Sequence, residues 1–197
     1  MLVLASGSVG RRALLANAGV PHDVMPAPID EDAAKASLRA RGLGPGNVAK
    51  ALAELKALDV SARRPEDLVL GCDQTLALSD GTLIDKAPDR AVLESQLRLL
   101  SGKTHTLFSA MVVAHQGVPV WRHVEGVNLT MRVLSDAFIA DYLEAEGDVL
   151  LGCVGGYRIE GRGVQLFSDI AGSHFAIIGL PLLPLLAFLR TQGVVAT

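Results

Sequence analysis

Serine and glycine at positions 6–8, followed by Arg11 and Arg12, stand between a compact apolar run and a segment of helical spacing. Small residues let a backbone approach a ligand closely, a helix N-terminus presents unpaired N–H groups, and arginine clamps phosphate with paired donors. The same letters also describe an ordinary strand-to-helix turn with surface arginines. Asp73 directly follows a second apolar run, residues 68–72. That puts a carboxylate at the C-terminal end of a strand, where open α/β sheets place their ligands. Such a group can hold a metal, accept a proton from water, or merely start a turn. Asp30 and Glu31 form an acidic pair in a loop, and Lys56 and Lys86 are single cations near predicted element ends. Metal-assisted phosphoryl chemistry uses carboxylates to hold a hard cation and cations to neutralise phosphate oxygens. Taken singly, each of these charges reads more readily as a solvated surface group.

The elements that must position them follow from apolar periodicity. Residues 2–5 predict a short buried strand, and the next helix starts near Ser8 or Val9, carries Leu14 and Leu15, and ends before Gly19. Residues 22–25 read as a second strand. From 30 to 46 charge, alanine and glycine mix, which predicts a crossing of the surface, with Asp30 and Glu31 in a loop. Asn47 is the expected N-cap of a helix on which Val48, Leu52, Leu55 and Leu58 recur at helical spacing. A strand over 68–72, a turn at Ser79-Asp80-Gly81 and a helix opened by Pro88-Asp89 come next. Two long strands, about 104–114 and 118–133, turn at Gln116-Gly117. Ser135 is the expected cap of a helix through Phe138, Ile139 and Tyr142. A glycine-dense stretch precedes a strand at 164–170, and Pro181 begins the last helix. Crossover helices combined with a long hairpin predict an α/β fold around a mixed sheet.

Composition narrows the partners. The 197 residues suit one domain, or one domain folded as two lobes around a cleft. Half are hydrophobic and few are aromatic, so Leu, Val, Ile and Ala must build the core. A net charge of −3 with mixed signs argues against the broad basic surface of a nucleic-acid binder. One anionic small molecule remains within reach of a few Arg and Lys side chains. The N-terminus lacks a basic segment and a signal-length apolar run, and residues 177–189, broken by Pro181 and Pro184, fall short of a bilayer span. Neither a nucleic-acid polymer nor a membrane is an expected partner. Cys72 and Cys153 match no CxxC spacing and read as reduced thiols of a cytoplasmic protein. The sequence is silent on oligomeric state, and a homodimer is compatible with it.

Two patterns mislead. Ser101-Gly102-Lys103-Thr104 ends like a P-loop, but the motif's first glycine would fall at Leu97 inside a helix, and the strand–helix order is reversed. His22, His105, His115, His123 and His174 show neither metal-site spacing nor a hydrolase-triad context. Structural or surface roles are expected for all of them.

Several segments nevertheless line up with one family. Leu2-Val3-Leu4-Ala5-Ser6-Gly7-Ser8 with Arg11, Leu14 and Leu15, the Asp30-Glu31 pair, and Leu52-Ala53-Glu54-Leu55-Lys56-Ala57 come first. Gly71-Cys72-Asp73-Gln74, Lys86, Ser101-Gly102-Lys103-Thr104-His105 and Gly179-Leu180-Pro181-Leu182 follow in order. Together they resemble the signatures of the Maf family of nucleotide pyrophosphatases, from residue 2 to about 189. The resemblance implies a strongly twisted mixed sheet with flanking helices, in two lobes around a central cleft. It implies a nucleoside triphosphate substrate, cut to the monophosphate and pyrophosphate, and a divalent cation, Mg²⁺ or Mn²⁺, held by Asp73 and Glu31. Asp73 would activate water, directly or through the metal, with Glu31 assisting. Ser6, Ser8, Arg11, Lys56 and Lys86 would line the triphosphate site. On this view Asp73, Glu31, Arg11, Lys56 and Lys86 must converge in one crevice.

Departures refine the expectation. Val9-Gly10 and Asp85-Lys86-Ala87 differ from the usual family residues, and the stretch from Gly152 to Gly161 is not the "DKAGAYxIQG" of the dTTP/UTP-preferring branch. Gln74, Cys153 and Glu160 resemble the branch associated with 7-methyl-GTP. A carboxylate at 160 can accept from the guanine N1–H and amino group and complements a methylated guanine's positive charge. Two alternatives stand beside this: a dTTP/UTP pyrophosphatase of the same family, and a nucleotide-binding regulator of septum formation with weak activity. A metal-dependent phosphatase of another fold would instead release orthophosphate.

Overall fold

Leu2, Val3 and Leu4 are all fully buried, as expected of a strand with both faces covered. The computed structural model describes residues 1–196. In chain order these form β1 (Leu2–Leu4), α1 (Val9–Asn17), β2 (His22–Val24), α2 (Glu31–Ala40), α3 (Pro45–Arg63), β3 (Leu68–Leu78) and β4 (Leu83–Ile84). Then come α4 (Arg90–Leu100), β5 (Thr104–His115), β6 (Val118–Met131), α5 (Asp136–Glu146), β7 (Phe167–Ala171), α6 (His174–Ile178) and α7 (Leu182–Thr191). Two 3-10 segments, Gly147–Gly152 and Arg162–Leu166, lie between α5 and β7.

Strand order among the described residues is β2-β1-β3-β5-β6-β7, with β4 beside β3. β1 pairs parallel with β2 and β3, whereas β4 on β3 and β7 on β6 are antiparallel. The sheet is therefore mixed, as the sequence predicts. The chain divides into two compact units. Unit 1 holds residues 1–74, 108–125 and the segment from Ser173 on; unit 2 holds 75–107 and 126–172.

Unit 1 carries two packed faces. On one, Leu2, Leu4, Leu70, Cys72, Met111 and Val113 meet Leu15 of α1 and Leu185 and Leu189 of α7. On the other, Ala49, Ala53 and Ala57 of α3 lie against Ala110, Val112 and Ala114 of β5. Small residues on both partners bring helix and sheet backbones close. At Gly71 of β3 a built Cβ would sit 2.0 Å from the Ala53 carbonyl oxygen and 2.7 Å from the Ala57 nitrogen. Those neighbours are backbone and cannot swing aside. Gly71→Ala is therefore expected to cost about 3 kcal/mol, measured as a drop in the urea unfolding midpoint; an unchanged midpoint would contradict the close approach.

Unit 2 packs α4 on α5 around Leu93, Leu97, Leu100, Ile139 and Tyr142. Asp89 and Ser135 cap these helices by accepting from the Val92 and Phe138 amides. No helix among the described residues is long and apolar enough to cross a membrane.

Several boundaries differ from expectation. Residues 31–40 are helix α2, not a loop: Asp30 Oδ1 accepts from the Ala33 amide at 2.9 Å, and Leu38 is the helix's buried residue. α3 is capped by Gly44, three residues before the expected Asn47, with Pro45 in its first turn. β3 runs on to Leu78, so Asp73 lies inside a strand and not at its end. β7 begins at Phe167, preceded by 3-10 structure, and the short helix α6 stands before α7.

Candidate functional site

Alternation along β3 sorts the residues of the Gly71-Cys72-Asp73-Gln74 segment onto two faces. Gly71 faces α3, and Asp73, two residues on, meets the same helix at Lys56. Cys72 faces the core with Leu70, and Gln74 turns to α6. Asp73 is 5% exposed and Lys56 is 6% exposed. The Lys56 ammonium donates to Asp73 Oδ1 at 2.7 Å and stands 2.8 Å from Glu31 Oε1. Glu31, in the first turn of α2, is the half-exposed member of the group. One buried cation thus joins two carboxylates, one desolvated and one open to solvent. Replacing such a pair by apolar residues seldom lowers stability, so burying it is weakly explained by stability alone.

A second cluster starts one peptide away. Arg11 on α1 donates Nε–H to the Gly179 carbonyl at 2.9 Å and Nη1–H to Ser6 Oγ at 3.0 Å and to the Cys72 carbonyl at 3.3 Å. Every one of these acceptors is neutral. The guanidinium is held in place while its charge remains available to an anion. Ser8 caps α1, its Oγ accepting from the Arg11 amide at 3.3 Å, and its own amide points to Ser6 Oγ at the same 3.3 Å. A positive φ of 99° at Gly179 and the 3.1 Å from its built Cβ to Arg11 Nε explain why glycine stands there. Gly10 has a similar reason: a Cβ would fall 2.9 Å from Ile178 Cγ2. The departure at position 10 thus accommodates Ile178.

Burial pushes the Cys72 thiol up to about 11, with Asp73 adding to the rise and Arg11 and Lys56 opposing it. It stays protonated at neutral pH and offers no thiolate nucleophile.

Gln74 holds a structural post as well. Its amide nitrogen donates toward Ser109 Oγ at 2.9 Å, Ile177 O at 3.0 Å and Ala176 O at 3.1 Å, and Ser109 also donates to Ala176 O at 2.6 Å. Only its carbonyl oxygen is left for a ligand. Ser109 and the Gly179 and Cys72 carbonyls have no sequence signature, because an isolated serine and backbone oxygens look alike everywhere.

Glu31, Lys56, Asp73, Arg11, Ser6, Ser8 and Gln74 belong to unit 1, whereas Lys86 and Glu160 belong to unit 2. There Arg158 Nε lies 3.3 Å from Glu160 Oε1. Burial raises the Cys153 thiol, Glu160 adds to the rise, and Arg158 and Lys86 oppose it.

Among the described residues, no group of three or more His, Cys, Asp or Glu side chains comes together to hold a metal. Glu31 and Asp73 still suit a hard cation that takes one or two carboxylates and completes its shell with phosphate oxygens and water. A groove of about 450 Å³ between α2 and α3, lined by Leu38, Leu43, Leu55 and Leu58 among others, includes none of the predicted site residues.

The family model described as "Maf-like protein" matches residues 1–192. The chain belongs to the Maf family. A Maf relative from Mesorhizobium japonicum named 7-methyl-GTP pyrophosphatase is 50% identical over 194 residues, covering 98% of this chain and 97% of the relative. One of the same name from Brucella abortus is 50% identical over 191 residues, 97% of this chain and 96% of the relative. Another, from Hyphomonas neptunium and named nucleoside triphosphate pyrophosphatase, is 49% identical over 196 residues, 100% of this chain and 98% of the relative.

Proposed function

We propose that this protein hydrolyses a nucleoside triphosphate to the monophosphate and pyrophosphate, with a modified guanine nucleotide such as 7-methyl-GTP as its preferred substrate. The observation that carries the reading is the Lys56 ammonium bridging Asp73 and Glu31, one peptide from the Arg11 cradle. Phosphoryl transfer asks little covalent chemistry of a protein and much positioning and charge neutralisation. Arg11, fixed by Ser6 and two carbonyls, receives phosphate oxygens, and the Ser8-capped start of α1 adds its N–H groups. Lys86 adds a further cation on the strength of its motif. Asp73 orients water and takes its proton as the water oxygen bonds to phosphorus and a bridging P–O bond breaks, releasing pyrophosphate. Lys56 fixes the Asp73 carboxylate, a positioning role that a surface lysine could not fill. A divalent cation, Mg²⁺ or Mn²⁺, would be held by Glu31 and Asp73 and would supply charge neutralisation on the phosphate oxygens. The expected setting is the cytoplasm, and a homodimer fits the proposal without being required by it.

Base preference rests on Glu160 and on the names of the two 7-methyl-GTP relatives. The broader name of the Hyphomonas relative favours a second reading, activity on several nucleotides including UTP and dTTP. Product analysis across natural and 7-methylated triphosphates, with Mg²⁺, with Mn²⁺ and with EDTA, tests both. Pyrophosphate that disappears with EDTA is expected; orthophosphate, or no turnover, overturns the proposal. Glu160→Gln is expected to lower the 7-methyl-GTP to UTP ratio of kcat/KM by about tenfold.

A further inference from the structure

Glu160 stands at the end of a segment that is fastened from beneath. In residues 157–160 burial alternates: Tyr157 and Ile159 point inward, and Arg158 and Glu160 form their ion pair on the outer side. The stretch before them is closely packed. Gly155 and Gly156 have positive φ values of 79° and 69°, and a Cβ would meet Leu76 at 2.6 Å and Leu93 at 2.1 Å. Tyr142 donates its hydroxyl to the Gly156 carbonyl at 3.2 Å. Beyond Glu160 the chain closes on itself, since a Cβ at Gly163 would lie 2.4 Å from the Arg158 carbonyl oxygen.

The innermost fastening is polar. His105 of β5, 1% exposed, shares a 2.8 Å hydrogen bond between Nε2 and the Tyr157 hydroxyl, and both rings touch Phe167. His105 Nδ1 is buried without a partner among the described residues. Phenylalanine at both 105 and 157 would pack without the orphan nitrogen or the hydroxyl, so stability is a weak reason for the pair, although removing one partner alone strands the other. What the imidazole supplies, and an apolar ring does not, is a directional contact that fixes the rotation of Tyr157.

We propose that His105 and Tyr157 are positioning residues for base selection: their buried hydrogen bond sets the pose in which the 157–160 segment presents Glu160 to the nucleobase. The inference rests on the reading of Glu160 given above and deepens it. Arg158 and Glu160 leave from the same short backbone that Tyr157 pins. A ring free to turn lets the carboxylate drift, and hydrogen-bonded selection falls off with small displacements. Chemistry at Asp73 does not depend on it.

The test is the ratio of kcat/KM for 7-methyl-GTP over UTP, with melting temperature, in wild type, Glu160→Gln, Tyr157→Phe, His105→Phe and His105→Gln. His105→Phe and Tyr157→Phe should each lower the ratio about tenfold, through KM for the methylated nucleotide. Turnover of UTP should stay near wild type, while melting falls modestly in each single variant because the buried partner left behind loses its hydrogen bond. His105→Gln, which restores a hydrogen-bonding group toward Tyr157, should recover most of the ratio. A purely structural role would lower melting and leave the ratio alone. If Glu160→Gln shifts the ratio while Tyr157→Phe and His105→Phe keep it, this inference is overturned and the reading of Glu160 survives. A ratio that Glu160→Gln does not move overturns both.

Discussion

Asp73→Asn is expected to lower kcat at least about a thousandfold while leaving the fold intact, since the site would lose proton acceptance and a charged cation-holding oxygen together. Asparagine keeps the shape, and its amide oxygen can still accept from Lys56, which retains Glu31 as a charged partner. Substrate binding through Arg11 should persist, because none of its contacts involves the Asp73 side chain. Steady-state pyrophosphate release, with circular dichroism as the fold control, checks the outcome. Activity within tenfold of wild type would falsify the assignment of Asp73 as proton acceptor.

Lys56→Met should cost about 3–5 kcal/mol of stability in addition to abolishing activity, because it strands the desolvated Asp73 carboxylate without a counter-charge. Glu31, half exposed, can turn to water and adds little to the penalty. Most of the loss therefore comes from one buried group. Adding Asp73→Leu to Lys56→Met should return most of the stability and none of the activity, since an apolar pair of similar volume removes the uncompensated charge. Urea unfolding of the single and double variants is the measurement. A Lys56→Met protein as stable as wild type would mean that Asp73 is better solvated than its burial indicates.

Much of this architecture was legible in the letters, and the exceptions have physical causes. The strands other than the two-residue β4, and α4, α5 and α7, announced themselves through apolar runs or stripes and side-chain or proline starts. α2 did not, although its Asp30 cap and its apolar face of Ala34 and Leu38 are in the letters, because the mixed charge, alanine and glycine of residues 30–46 masked them. β3 seemed to stop at Cys72 because Asp73 and Gln74 are polar; the strand continues because Lys56 and Ser109 satisfy them. The participants Asp73, Glu31, Lys56 and Arg11 were named from their motifs, but periodicity alone gave no hint that Lys56 turns inward among alanines. Gln74's ties to α6 were equally hidden, since they depend on backbone carbonyls 102 and 103 residues away.

The way Glu31 is mounted carries a consequence for motion. Lys56 and Asp73 ride on a nineteen-residue helix and an eleven-residue strand. Glu31 begins a ten-residue helix anchored at Leu38, with an open groove between it and α3. Elements with so little fully buried apolar surface open at smaller free-energy cost than the core of a molecule. On warming, α2 should therefore loosen first, and affinity for the cation should decline before the Asp73–Lys56 core melts. Deuterium uptake in residues 31–40 would be the earliest sign.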